Sequence, residues 1–220
     1  MTPQTERLFL DGEVGRIELA LDWPVDAPRG IAFIAHPHPL YGGTMDNKVV
    51  TTLARAFMAL GWVAVRKNFR GVGQTEGGHD DGRGETRDFL RVVETVPTLE
   101  PVRARLPAGL PVAYAGFSFG SFVAAQAAQV RAPQRLVLVG SAAGKWAMPR
   151  VDPATIVIHG ELDETIALAD VFDWARPQEL PVIVMPGADH FFHRRLTPLK
   201  RLVMLNLRGE DNLYATDARP

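Results

Sequence analysis

The sequence predicts an α/β fold: a doubly wound, mostly parallel β-sheet with helices on both faces and an antiparallel hairpin at its N-terminal edge. Two observations predict it. From residue 30 onward, short apolar runs typical of buried strands alternate with stretches whose apolar residues recur at helical spacing. Before residue 30, two strand-like runs flank the segment 11–15, Asp-Gly-Glu-Val-Gly, which suits a hairpin turn. A chain of 220 residues is of ordinary size for one domain, which we expect to span residues 1–220.

Each element follows from a local pattern. Strands are predicted at 7–10, 16–21, 30–35, 62–66, 111–115, 135–139, 155–159 and 181–185. Helices are predicted at 44–60, 85–96 and 121–128, with further helices between the last strands. The prolines at 37 and 39 end the third strand, because proline cannot donate to a strand ladder. Gly61 is the expected C-cap of the first helix, residues 70–84 form a glycine-rich loop, and we expect its segment 75–84 to border the site.

Composition excludes several classes of function. The formal net charge is -1 and no Lys/Arg-rich run is present, so neither nucleic acid nor a membrane surface is an expected partner. No apolar stretch approaches the roughly 18 residues of a membrane span. Cysteine is absent, which excludes disulfides, thiolate metal sites and a cysteine nucleophile. Because the N-terminus also lacks a signal-peptide pattern, we expect a cytoplasmic protein.

The most informative motif is Gly-Phe-Ser-Phe-Gly at residues 116–120. It follows a predicted strand and opens an alanine-rich helical stretch, which is the arrangement of a nucleophile elbow. In an elbow the serine lies on a sharply turned backbone with its hydroxyl exposed, and the flanking glycines let strand and helix approach closely. Serine is otherwise scarce, with two others in the chain. We therefore interpret Ser118 as a catalytic nucleophile.

A serine hydroxyl needs an imidazole to take its proton and a carboxylate to orient that imidazole. His190 follows the last predicted strand and Asp163 follows the strand before it, and in such sheets ligands bind at the carboxyl ends of the strands. The chain order is Ser, Asp, His, which belongs to one of the folds that carry this triad. We predict Ser118 as nucleophile, His190 as base and Asp163 as the orienting acid.

Three neighbouring residues are alternatives for these roles. Glu164 is adjacent to Asp163 and should point away from it. Asp189 would have to fold back to reach the ring of its own neighbour, His190. His193 is a second candidate base, but it lies where the final helix is expected to begin and is expected on the surface.

Negative charge on the substrate oxygen requires an oxyanion hole. One donor is the backbone N–H of the residue after the nucleophile, Phe119. The other comes from the loop after the third strand, where Pro37 and Pro39 carry no N–H. His38 is therefore the predicted second donor, with Leu40 as the next choice.

Two other motifs carry weaker signals. The spacing of His36 and His38 could suggest a metal, but two histidines fall short of a ligand set, so we expect no metal and expect His36 to bond loop backbone. Arg-Gly-Val-Gly-Gln at 70–74 lacks the spacing of a nucleotide-binding loop and the Walker lysine. We expect Arg70 to pair with a loop carboxylate, and we expect no cofactor.

These motifs resemble those of the α/β-hydrolase superfamily over about residues 30–207. The resemblance is carried by the segments 116–120, 160–163 (Gly-Glu-Leu-Asp), 188–191 (Ala-Asp-His-Phe) and 68–73 (Asn-Phe-Arg-Gly-Val-Gly). Residues 36–48 are further similar to a group of small bacterial serine hydrolases related to dienelactone-hydrolase-like proteins. The resemblance implies the same triad, Ser118, Asp163 and His190, and oxyanion donors near His38 and Phe119.

The chain departs from the patterns of these relatives in ways that count against some substrates and against a cap domain. Dienelactone hydrolases use a cysteine nucleophile where this chain has Ser118, which counts against a lactone substrate, and the His-Gly-Gly-Gly stretch of many lipases is missing. Many relatives insert a cap domain after the sixth strand, but residues 140–153 are too few for a helical lid. We expect an open site without a cap domain. Trp146 and Met148 in this segment either line the site or pack against the body.

The sequence thus predicts a carboxylesterase-like serine hydrolase that cleaves small carboxylic esters through an acyl-enzyme on Ser118, with no cofactor. A thioesterase or a peptidase of the same fold is the alternative among enzymes. A hydrolase-fold protein that binds a small molecule or a partner without turnover is the alternative outside them.

Overall fold

The structure, a computed structural model, describes residues 4–217, with side chains from residue 5 to residue 208. Within this range, eight strands form a single sheet in the order β1-β2-β4-β3-β5-β6-β7-β8. The strands are β1 (Gln4–Asp11), β2 (Arg16–Trp23), β3 (Gly30–Ala35), β4 (Trp62–Lys67), β5 (Val112–Phe117), β6 (Arg135–Val139), β7 (Ile156–Gly160) and β8 (Val182–Met185). The helices are α1 (Lys48–Ala59), α2 (Arg83–Thr95), α3 (Glu100–Arg103), α4 (Phe119–Val130), α5 (Leu168–Ala175) and α6 (Leu196–Asp217).

The predicted doubly wound sheet and its N-terminal hairpin are confirmed. Strands β1 and β2 pair antiparallel, β2 also pairs antiparallel with β4, and the pairs from β4 to β8 are all parallel. The central strands are buried along most of their length, which matches their mostly apolar sequences. Helices α1 and α6 cover one face of the sheet, and α2, α4 and α5 cover the other. None of the helices in the described range is long and apolar enough to cross a membrane.

The first helix starts later than the sequence predicts. It begins at Lys48, because the side chain of Asn47 accepts the backbone N–H of Val49 at 2.8 Å and so caps the N-terminus. Thr44, the predicted start, instead closes a turn in which its carbonyl accepts the N–H of Asn47. At the other end, Gly61 (φ +82°) lies one residue beyond the cap, in the left-handed region that glycine tolerates.

Other boundaries move by one to three residues. Strand β5 continues through Phe117, so α4 begins directly after Ser118. Helix α2 starts at Arg83 because the Glu85 carboxylate accepts the backbone N–H of Gly82 at 2.9 Å, which stabilises the first turn. Residues 140–155, between β6 and β7, contain no helix. The carboxyl ends of β3, β5, β7 and β8 therefore meet at an edge that no inserted helical segment from this loop covers.

Candidate active site

The backbone at Ser118 has the geometry of an elbow. Ser118 has φ 55° and ψ −124°, a strained combination for a residue with a side chain, at the junction of β5 and α4. A Cβ on Gly116 would lie 2.1 Å from the carbonyl oxygen of Gly120, and a Cβ on Gly120 would lie 2.3 Å from that of Ala35. Both positions therefore require glycine. The N–H of Ser118 donates to the carbonyl of Val139 on the neighbouring strand at 3.0 Å, which fixes the turn to the sheet.

The structure brings the three predicted side chains together. The Nε2 atom of His190 lies 3.0 Å from Ser118 Oγ, and its Nδ1 atom lies 2.7 Å from Asp163 Oδ2. The carboxylate side chain is fully buried, and that of His190 is 5% exposed. Because a carboxylate accepts, Nδ1–H donates to Asp163, which leaves Nε2 free to accept the serine proton. The arrangement can make one hydroxyl nucleophilic.

The two loops that carry the acid and the histidine are joined directly. The N–H of Leu162 donates to the carbonyl of Ala188 at 2.9 Å. Gly160 permits this approach, because a Cβ there would lie 2.5 Å from the same Ala188 oxygen. The other carboxylate oxygen of Asp163, Oδ1, accepts the backbone N–H groups of Thr165 and Ile166 at 2.9 and 2.8 Å. Both oxygens of the carboxylate are thus held.

The alternative residues lie elsewhere. Asp189 accepts the backbone N–H of His193 at 2.9 Å and contacts its Nδ1 at 2.7 Å, and both side chains are exposed. Glu164 lines the cavity beside Ser118 and makes no hydrogen bond to His190 among the described residues. The carboxylate that reaches His190 is that of Asp163.

The two predicted oxyanion donors face the same cavity as the serine. Ser118, Phe119 and His38 all line it. Within the described range, neither the backbone N–H of His38 nor that of Phe119 donates to a protein acceptor. The loop around His38 is held closed, because its carbonyl accepts the N–H groups of Tyr41 and Gly43 at 3.2 and 3.1 Å.

His36 supports this loop through hydrogen bonds to backbone, as predicted from the sequence. Its Nε2 accepts the N–H of Phe69 at 2.9 Å, so the ring proton is on Nδ1, which donates to the carbonyl of Pro37 at 2.6 Å. Burial lowers the pKa of His36 to about 3, so the ring is neutral near neutral pH. The described residues contain no group of three or more His, Cys, Asp or Glu side chains placed to hold a metal ion.

An aromatic wall bounds the cavity, whose volume is about 520 Å³. The ring centroid of Trp146 lies 4.8 Å from that of Phe119, 5.1 Å from that of Phe122 and 5.8 Å from that of His38. Trp146 therefore both packs against the body and lines the site, whereas Met148 packs on the core. Lys145 and Glu164, both charged, also line the cavity.

The loop at 75–84 was expected to border the site, and it does so through His79, a residue that was not singled out from the sequence. The ring of His79 lies 4.7 Å from that of His38 and 5.5 Å from that of Phe119. Its Nδ1 lies 3.1 Å from Oε1 of the fully buried Glu85, which also caps α2. Burial, and then the neighbouring His79, lower the pKa of His38. No local pattern marks His79, because its approach to His38 depends on how the loop folds against the site.

Arg70 pairs with two carboxylates, and one of them is the predicted loop carboxylate. It donates two hydrogen bonds of 2.8 Å to Asp88 on α2, between nearly fully buried side chains. A third bond, of 2.9 Å, reaches Glu13 in the hairpin loop, the predicted kind of partner. Hydrogen bonding to Asp88 raises the pKa of Arg70 above its ordinary value. The prediction did not include Asp88, because no local pattern marks a carboxylate that a helix delivers from 18 residues away.

Comparisons with known proteins place the chain in a family. Residues 26–188 match the family model described as serine aminopeptidase, S33. The structure of XC6422 from Xanthomonas campestris, described as an a/b serine hydrolase without lid, is 37% identical, with a TM-score of 0.85 over 94% of this chain and 95% of that one. An alpha-beta serine hydrolase homologue from Coxiella burnetii is 36% identical, with a TM-score of 0.82 over 92% of this chain and 97% of that one.

A dienelactone hydrolase from Anabaena variabilis shares the fold at 19% identity, with a TM-score of 0.73 over 95% of this chain and 99% of that one. The family match covers most of the chain, and the first two structures exceed a third of identical residues along nearly their whole length. The chain therefore belongs to the α/β serine hydrolases, in the family described as serine aminopeptidase, S33.

Proposed function

We propose that the protein hydrolyses small carboxylic esters through an acyl-enzyme on Ser118. The observation that carries the proposal is the hydrogen-bond chain from Asp163 through His190 to Ser118, with distances of 2.7 and 3.0 Å. Those distances lie within the reach that proton transfer requires. The strained elbow backbone and the cavity beside the hydroxyl support the same role.

The first half of the reaction acylates the serine. Ser118 Oγ attacks the ester carbonyl carbon while its proton passes to His190 Nε2, and Asp163 stabilises the imidazolium that forms. The carbonyl oxygen becomes negative and accepts the backbone N–H groups of His38 and Phe119. When the tetrahedral intermediate collapses, the carbon–oxygen bond breaks and the alcohol leaves with the proton from His190.

The second half releases the acid. A water molecule attacks the acyl carbon and gives its proton to His190 Nε2, the same atom that served in acylation. The second tetrahedral intermediate expels Ser118 Oγ, which regains a proton from His190. Atoms and charges balance over the two halves: one ester and one water yield one acid and one alcohol.

The cavity supports a small acyl group. At about 520 Å³ it holds a short chain or a single flat ring, and the aromatic faces of Trp146 and Tyr41 offer apolar contact for either. Tyr41 is 87% exposed, so its ring is available to a substrate. Long alkyl chains would project into solvent, since no helical lid from residues 140–155 covers the site.

A peptidase that removes N-terminal residues is the second candidate. The description of the matching family names this activity, and the Glu164 carboxylate in the cavity could bind a free ammonium group. Lys145 lines the same cavity and counts against that preference, because it would repel the ammonium. A thioesterase would use the same triad.

The test is a substrate panel: p-nitrophenyl esters from acetate to dodecanoate, a matched thioester and aminoacyl p-nitroanilides. We expect the short esters to have the highest kcat/KM. A preference for the anilides would instead assign a peptidase. Labelling by a fluorophosphonate probe should be abolished in Ser118→Ala and kept in Ser141→Ala, a buried serine outside the triad. If the wild type shows no turnover and no labelling, the result favours a non-catalytic binding protein.

The cytoplasm is the compartment we propose for this activity, on the basis of the cysteine-free sequence. Fractionation of cells that express the tagged full-length chain tests this proposal. Recovery in the membrane or exported fraction would contradict it.

A further inference from the structure

A second histidine lies behind the candidate acid. His159, on β7, has a fully buried side chain, and its Nε2 lies 3.0 Å from the carbonyl oxygen of Ile166 and 3.4 Å from Asp163 Oδ2. Because both oxygens are acceptors, Nε2 carries the ring proton and donates to the Ile166 carbonyl. Burial lowers the pKa of His159, so the ring is neutral.

Packing alone does not account for an imidazole at this position. The Nδ1 atom of His159 is buried and has no hydrogen-bond partner among the described residues. Leaving a buried acceptor unpaired is unfavourable, and a leucine would fill similar volume without that penalty. What the imidazole adds is the Nε2–H group and its two contacts, with the Ile166 carbonyl and the Asp163 carboxylate.

Both contacts of His159 are with the same short turn, residues 163–166. Asp163 Oδ1 accepts the N–H groups of Thr165 and Ile166, so this turn sets the rotation of the carboxylate. His159 holds the turn from its other side, through the Ile166 carbonyl. Its N–H also lies closest to Oδ2, the carboxylate oxygen that contacts His190.

We propose that His159 is a positioning residue, which holds the turn at 163–166 so that the Asp163 carboxylate is aimed at His190. The inference rests on the proposed function, because it assigns to Asp163 the task of orienting the base. Hydrogen bonds would then run from His159 through the turn and the carboxylate to His190 and Ser118. His159 itself touches no substrate.

The test compares His159→Leu with His159→Gln, whose amide N–H can replace Nε2–H. The measured quantities are kcat and KM for p-nitrophenyl acetate and the rate of fluorophosphonate labelling. We expect His159→Leu to lower kcat and the labelling rate about tenfold, the effect of one buried hydrogen bond, with KM nearly unchanged. His159→Gln should recover most of this loss. Tyr114→Phe, which removes another buried and unpartnered polar atom, serves as the matched control and should have no effect.

A double-mutant cycle separates positioning from general destabilisation. If His159 acts through Asp163, the His159→Leu loss should shrink to less than about twofold when Asp163→Asn is already present. An equal loss in both backgrounds would overturn the inference, because a merely structural effect would add. No loss in the native background would overturn it as well.

Amide hydrogen exchange gives a readout that does not depend on activity. We expect the N–H groups of Thr165 and Ile166 to exchange about tenfold faster in His159→Leu, because the turn that they close is released. Unchanged exchange would overturn the inference. The wild type could also show neither ester turnover nor labelling while exchange is still faster in His159→Leu. That result would support the role of His159 in holding the turn and would refute the proposed function instead.

Discussion

Replacing Asp163 by asparagine tests the candidate triad most sharply, because the structure dictates how the new amide must lie. Asp163 Oδ1 accepts two backbone N–H groups, from Thr165 at 2.9 Å and from Ile166 at 2.8 Å. An NH2 group at that position would face two donors. The asparagine carbonyl must therefore occupy the Oδ1 position, and the NH2 group takes the place of Oδ2.

That orientation forces the wrong tautomer on the base. The NH2 group would point at His190 Nδ1, 2.7 Å from the original Oδ2, and would donate to it. Nδ1 must then accept, so the ring proton moves to Nε2, which lies 3.0 Å from Ser118 Oγ. An imidazole protonated there cannot take the serine proton. We expect kcat to fall roughly 10⁴-fold, which corresponds to about 5 kcal/mol of lost transition-state stabilisation.

The assay is turnover of p-nitrophenyl acetate near pH 8, with active-site titration to exclude traces of wild-type enzyme. Asp189→Asn is the matched control: it neutralises an exposed carboxylate that serves His193, and it should stay within about twofold of wild type. The melting temperature of Asp163→Asn should change little, since the amide keeps the two backbone hydrogen bonds. Retention of more than a tenth of wild-type kcat would refute this reasoning and point to another acid.

Three further predictions concern the surroundings of the site. Gly160→Ala places a Cβ 2.5 Å from the Ala188 carbonyl, so the acid and histidine loops must separate, and kcat for p-nitrophenyl acetate should fall more than about tenfold. Asp88→Asn removes the buried partner charge of Arg70 and leaves it only the exposed Glu13 carboxylate, so the free energy of unfolding in urea should fall by about 3 kcal/mol; an unchanged urea midpoint would show that the buried ion pair contributes little. Burial lowers the pKa of His36 from 6.5 to about 3, so only the unfolded chain takes up this proton as the pH falls through that window. The contribution of neutral His36 to the free energy of unfolding is complete above pH 6.5 and falls by about 1.4 kcal/mol per pH unit below it. His36→Gln should therefore reduce the slope of the unfolding free energy against pH, measured by urea titration at several pH values. An unchanged slope would contradict the lowered pKa of His36.

The sequence was most informative where one short pattern predicted both a backbone conformation and the reactive side chain on it. The elbow combines a strand, two glycines, a serine and a helix within a few residues, so its backbone could be predicted without tertiary contacts. His190 and Asp163 could be identified because each follows a strand of a parallel sheet, and such strands end at a common edge.

Local patterns failed where a competing interaction was equally local or came from a distant segment. Thr44 and Asn47 are both acceptable helix caps, and only the side-chain bond to Val49 selects the second. The pairing of Arg70 with Asp88 depends on where α2 packs, which no spacing reveals.

Periodicity and strand-end chemistry alone determined that this chain folds as a doubly wound sheet and which three side chains could form a triad. Tertiary structure decided which neighbours support them. His159 and His79 carry ordinary sequence signals, and they matter only because β7 buries one beside the carboxylate and the α2 cap brings the other against His38. The physical reason is that hydrogen-bond support depends on positions to within a few tenths of an ångström, and such positions are set by the packing of segments distant in the chain.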